Sequence, residues 1–343
     1  MVAGTIGIYH DPPLWLGNPP IEKPTKQREV DFSAFAEIIF RKDLSSGIRV
    51  NATRDGMFGF SFENWPPDCN ATEKRVPEDL TFDELAEITL NRASVINSFL
   101  AFFYAALETN PGLSLSRMLT TPELMVPMSG DFDEPPTGMS FGNDKVAWLA
   151  SSRYPLTYPT AYPPAADKRI LSRTIIDPPG IALDDAASRL EALLSDHQAD
   201  GPLMLDLFVR SSKSYQDHNY SASLITNWSI IEKLTFELWN RYLDKNRNRG
   251  GTPFINRKRL DKLNDTRTFT ASVVTEILSL AKYIDKGLYE DMSSVRQVRN
   301  NWIHSLKAVS REDAMLSNDV CEQMFSIVRS IRVSGAKAVS IHG

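Results

Sequence analysis

Six segments between residues 183 and 332 carry apolar residues at alternating steps of three and four, and no other feature of the chain restricts its fold as much. They are "LDDAASRLEALLSDH" (183–197), "PLMLDLFVRSSKSYQ" (202–216), "YSASLITNWSIIEKLTFELWNRYLDK" (220–245), "TASVVTEILSLAKYID" (270–285), "LYEDMSSVRQVRNNWIHSLK" (288–307) and "REDAMLSNDVCEQMFSIVRSIR" (311–332). In the third, Leu224, Trp228, Ile231, Thr235, Leu238 and Tyr242 hold the four-three step throughout, which predicts the spine of an antiparallel helical bundle. An all-α C-terminal region over 181–335 follows, with 336–343 as a tail.

The first 70 residues have a different period. Short apolar or alternating runs around "TIGIYH", "FAEIIFRK", "GIRVNAT" and "FGFSFEN" predict strands, and "RDG" between the last two predicts a hairpin turn. At 81–84, "TFDE" is a capping box with Thr81 as N-cap and Glu84 reaching back. It opens a long helix running to about residue 108. Ten of the chain's 21 prolines then fall between 122 and 180, so loops joined by short strands such as "KVAWLASS" and "KRILSRTII" are expected there. The predicted class is α+β: a mixed N-terminal region over 1–180, ending in the proline-rich connection, followed by the helices. "DPPG" at 177–180 marks the expected boundary.

The 42% hydrophobic content of 343 residues is enough to bury an interior, and no apolar run reaches the ~18 residues of a membrane span. "MVAGTIGIYHDPP" has neither a basic n-region nor an apolar h-region, so cytoplasmic residence is expected and a membrane partner is not. Cys69 and Cys321 match no metal or redox spacing and are expected to be reduced packing residues. The net charge of −5 opposes non-specific nucleic-acid binding, yet it is unevenly spread. Between Arg241 and Arg267 nine Lys/Arg stand against three Asp. Two readings fit this stretch: a phosphate-tracking surface including Arg247, Arg249, Arg257, Lys258 and Arg259, or a solvated inter-helix loop.

In "SSVRQVRNNWIHSL" (293–306) the apolar step is interrupted. Leu288, Met292 and Val295 lead to Trp302 and Leu306, but Arg299 fills the intervening position and His304 follows it five residues on. A cation on a packed seam is costly unless it is paired or open to water. One reading pairs Arg299 with Glu232, on the flank of the spine helix. The other lets Arg299 engage a ligand. At ~1.5 Å rise and about 100° per residue, Arg299 and His304 lie ~7.5 Å apart along a helix and about 140° apart around it. Such a pair can flank a group the size of a phosphodiester. A guanidinium suits phosphate oxygens, and an imidazole can accept and return a proton near neutral pH.

"VRNNWIHS", late in a predicted bundle, resembles the R-x4-6-H signature of the HEPN superfamily, in which Asn commonly follows the Arg. "LITNWSIIEKL" is similar to the HEPN helix that carries a recurrent acidic or polar residue. The resemblance covers 181–335. It implies a metal-independent endoribonuclease, a homodimer in which two such motifs face one another across a shared cleft. His304 would take acid/base roles and Arg299 would hold the phosphate. Asn300 would orient Arg299 or touch a phosphate or 2′-OH, and Glu232 would position Arg299 or His304. Products would be a 2′,3′-cyclic phosphate and a 5′-hydroxyl, with no cofactor or metal. For Arg296, one turn before Arg299, two readings stand: added phosphate affinity, or a simply solvated cation. The family further implies a toxin or anti-phage defence effector, with residues 1–180 as sensor or regulator and an antitoxin or trigger protein as partner. A non-catalytic HEPN module that binds RNA or protein is the alternative.

Rival metal sites are weak. His197 in "SDHQAD" and His218 in "QDHNY" each adjoin an Asp, but adjacent helical residues diverge by about 100° and chelate poorly. Both are expected to be exposed helix ends. "GDFDE" (130–134) lacks the remaining ligands of a calcium loop and is expected to be a solvated turn. His10 and His342 lie near the termini and support no site.

Overall fold

A computed structural model describes residues 5–9, 14–19, 37–62, 81–107, 128–129, 138–139, 174–195, 200–249 and 252–333. The α+β class holds: a small antiparallel sheet lies in the N-terminal half and helices dominate the rest. Two compact units divide the chain, 1–206 and 207–343.

In the first unit, β1 (Thr5–Tyr9), β3 (Ile38–Asp43), β4 (Arg49–Thr53) and β5 (Met57–Ser61) form one antiparallel sheet in the order β1-β5-β4-β3. The β4–β5 hairpin turns on the expected Arg54-Asp55-Gly56, where Gly56 takes φ +86°. Glycine reaches that left-handed conformation without the Cβ clash other residues meet. β2 (Leu14–Leu16) pairs in parallel with β8 (Thr174–Ile176), and β6 (Met128–Ser129) with β7 (Gly138–Met139).

α1 (Phe82–Ala106) starts at the Thr81/Glu84 capping box, as expected. Residues Phe58 and Phe60, two apart on β5 and so on one face, meet Phe99 and Phe103 of α1 edge-to-face at centroid separations of 5.2 to 5.8 Å. These four buried rings are the centre of the first core. α2 (Pro179–Ser195) begins in the predicted boundary stretch and packs on α1, with Leu183, Ala186, Ala187 and Leu190 buried. "GDFDE", His10, His197, His342, Cys69 and "KVAWLASS" lie outside the described residues.

α3 (Gly201–Gln216) carries the division between units. The second unit is organised by α4 (Tyr220–Lys245), whose predicted spine from Leu224 to Leu238 is buried, with Tyr242 half-buried. α6 (Ala271–Leu280), α7 (Lys286–Ser305) and α8 (Arg311–Arg329) all pack on it. Within α3, Phe208 meets Phe325 of α8 edge-to-face at 5.8 Å. Polar pins fix the helix register: Asn227 Nδ2 donates to Ser317 Oγ at 2.9 Å and to Asn318 Oδ1 at 2.6 Å, all buried.

The basic connection between α4 and α6 is more structured than a loop. β9 (Asn248–Arg249) and β10 (Thr252–Pro253) form a minimal hairpin, and α5 (Arg257–Leu263) follows under an Asn256 cap. No helix among the described residues is long and apolar enough to cross a membrane.

Candidate functional site

α7 presents the motif found in the sequence. Asp285 caps its start, its side chain accepting from the Leu288 amide at 2.8 Å. Leu288, Met292 and Val295 are buried against the neighbouring helices. Past Val295 the seam runs through Val298, then Trp302, both half-buried against the cluster of Tyr215, Leu224, Val309 and Ala314. Val298 therefore supplies the apolar step that Arg299 interrupts in the 288-292-295-302 series.

Leu306 departs from expectation. It is not on the buried stripe: the helix ends at Ser305, and Leu306 is a left-handed C-cap, φ 49°, with its side chain 77% exposed. The physical reason is that the left-handed C-cap takes the chain off the helical path, so Leu306 no longer falls on the stripe one turn past Trp302. Ile303 is also 40% exposed, which leaves two apolar side chains at the end of α7 beside the exposed imidazole of His304.

Arg299 is half-buried, and its Nη1 donates to Asn300 Oδ1 at 3.0 Å. No ion pair or hydrogen bond among the described residues joins it, or His304, to Glu232, which is half-buried on α4. The structure thus brings Arg299 and Asn300 together and leaves Glu232 outside that pair. Arg296 is half-buried one turn earlier.

An arginine–glutamate pair does exist in this unit, but elsewhere. Arg329 of α8 reaches Glu237 of α4 in a bidentate fork, Nε to Oε2 and Nη2 to Oε1, each 2.9 Å. The two side chains are only 1% and 11% exposed. Sequence reasoning missed this pair. Its partners stand 92 positions apart, and Arg329 looks in sequence like one more helix-end cation.

Of the remaining candidates, Arg247, Arg257, Lys258 and Arg259 are exposed, and Arg249 lies in β9. His218 is exposed in a left-handed turn, φ 59°, its Nδ1 2.8 Å from the Tyr220 hydroxyl, and lies at an exposed helix end as expected. Cys321 is a free, fully buried thiol whose ionisation burial pushes well up, in keeping with a packing role.

Chemically, one helix end offers a guanidinium held by a neighbouring amide, an imidazole open to water, and an apolar rim. Arginine has five N–H donors. Only the bond to Asn300 engages Arg299 among the described residues, so its other donors can take an anion's oxygens. Compared with protein-family models, curated proteins and solved structures, the chain finds no match in any of the three.

Proposed function

We propose that the helical unit is a HEPN-type, metal-independent endoribonuclease acting as a homodimer. The observation that supports it most is the state of Arg299: half-buried, oriented by Asn300, and with no carboxylate neutralising it among the described residues. Arg329, the sealed arginine of the same unit, is by contrast neutralised by a carboxylate.

In the reaction, a ribose 2′-oxygen attacks the adjacent phosphorus, forming the 2′-O–P bond while the P–O5′ bond breaks. His304 of one copy takes the 2′-OH proton, and His304 of a second copy protonates the leaving 5′-oxygen. Arg299 stabilises the charge developing on the phosphoryl oxygens, and Asn300 positions Arg299. One imidazole cannot easily stand on both sides of an in-line displacement, so a dyad is required. The exposed Ile303 and Leu306, flanking His304, are suited to meet the second copy. Glu232 is assigned a supporting role through the packing of α4 on α7. On the same family resemblance, the protein is a toxin or defence effector regulated by its N-terminal region.

The test is cleavage of a synthetic RNA in EDTA by the full chain. Wild type is expected to leave 2′,3′-cyclic phosphate and 5′-hydroxyl ends. His304→Ala is expected to lose roughly 10²- to 10⁴-fold in rate, and Arg299→Ala roughly 10²- to 10³-fold. Equal cleavage by the variants sinks the assignment. RNA binding without any cleavage by wild type would favour the non-catalytic module, which the exposed cations between Arg241 and Arg267 also suit.

A further inference from the structure

The connection between α4 and α6 folds into a groove of about 770 Å³ beside α5, open to solvent. Its rim carries Lys258, Arg259 and Lys262, and its wall includes Leu263 and Phe269. Phe269 is half-buried and stacks on Trp239 at 5.6 Å, and the Trp239 indole N–H donates to the Leu263 carbonyl at 3.1 Å. The apolar wall is thereby anchored to the core of the unit. Of the two carboxylates in the groove, Asp265 is occupied in its own turn, accepting from the Arg267 amide and the Thr268 hydroxyl. Asp261 remains on the rim, so the groove is net cationic.

Arg259 is the organising residue. Its guanidinium lies 4.4 Å from the Phe254 ring centroid, and Nη1 donates to the Phe254 carbonyl at 3.2 Å. That carbonyl is itself placed by the hairpin, because the Phe254 and Ile255 amides both donate to the Arg247 carbonyl. The planar guanidinium is therefore held in advance of any ligand. Arg247, Arg257, Lys258, Lys262 and Arg267 make no ion pair among the described residues. Cations left without acids on a body that is otherwise acidic are the footprint of an anionic polymer.

We infer that this groove binds single-stranded RNA, with a nucleobase stacked on the Arg259 plane against the aromatic wall and the backbone phosphates met by Lys258 and Lys262. Bases of a duplex are stacked on one another and cannot enter, whereas an unpaired base can lie on a guanidinium or an aromatic face. The inference rests on RNA being the substrate of the α7 site. It adds that the substrate is unpaired where α5 grips it.

Fluorescence anisotropy on the full chain carrying His304→Ala, which prevents cutting, tests it with a labelled 12-nucleotide single strand and the matching duplex. The single strand is expected to bind at least tenfold tighter. Arg259→Lys, which keeps the charge and removes the plane, is expected to lose roughly tenfold in affinity with an unchanged salt slope. Lys258→Gln/Lys262→Gln is expected to flatten the log–log salt slope by about 1.4. Duplex bound as tightly as single strand, either variant indistinguishable from the unaltered groove, or no RNA binding at all overturns the inference. So does equal, variant-sensitive binding to anionic vesicles of phosphatidylserine and phosphatidylcholine. Cleavage is not read here, so a groove that binds as described on a protein that cuts nothing breaks only the catalytic assignment. Cleavage without this binding pattern breaks only the groove.

Discussion

Two arginines of the helical unit sit in opposite circumstances. Arg329 is sealed between α8 and α4 and answered by both oxygens of Glu237. Arg299, half-buried on α7, is answered among the described residues only by the amide of Asn300. The bidentate carboxylate offsets the several kcal/mol that desolvating the Arg329 charge costs. Arg299 has no such partner among the described residues and stays where water, or an anion, can reach it. The difference separates a cation that holds helices together from one that is kept available.

The comparison breaks most easily on stability. Removing the carboxylate in Glu237→Ala leaves Arg329 buried without its partner and is expected to cost about 3–5 kcal/mol. Arg299→Ala, at a partly solvated position, is expected to fall within about 0.5 kcal/mol. Urea denaturation of the two variants reads both numbers. Similar losses for both would mean that Arg299 is a structural residue after all, and the catalytic assignment would lose its main support.

How much of this was legible beforehand follows from distance along the chain. The Thr81/Glu84 capping box, the Arg54-Asp55-Gly56 turn and the buried face of α4 depend on residues within a few positions of each other, and they could be read directly. The Glu237–Arg329 fork depends on which helices become neighbours, which periodicity alone does not say. Glu232, five residues earlier on the same helix, carries no ion pair with Arg299. α5 was hidden for another reason. Five of its seven residues are charged, so no apolar stripe betrays it, although Asn256 was a readable N-cap signal. The end of α7 misled in the opposite direction: Leu306 kept the apolar step but not the helix.

Leu306 gives the next, smaller test. A non-glycine residue in the left-handed region costs about 1–2 kcal/mol, and glycine is the favoured occupant of that position after a helix. Leu306→Gly is therefore expected to stabilise the isolated chain by about 1 kcal/mol while weakening self-association, if the exposed side chain serves the second copy. Thermal melts at low and high protein concentration, with sedimentation alongside, separate the two effects. Destabilisation at dilutions where wild type is monomeric would show that Leu306 packs within its own chain, and the dimer surface would have to be sought elsewhere.

The smallest effect lies in the first unit, where a carboxylate is stabilised without a cation in direct contact. Glu191 of α2 accepts from the Ser45 amide at 2.9 Å. Hydrogen bonding from Ser45, backbone first and then side chain, with Lys42 nearby, holds its pKa below the usual 4.5 against the opposing effect of burial. A carboxylate whose folded pKa is depressed contributes stability above its unfolded pKa and loses it as pH falls through the folded value. Glu191→Gln should therefore melt below wild type at neutral pH, with the gap closing as pH falls below the ordinary 4.5 and through the depressed folded value. A gap independent of pH would mean that the hydrogen-bond geometry, which glutamine can partly keep, matters and the charge does not. It would also narrow the contrast drawn from the two arginines, since an ion's value in this protein would then depend on burial alone.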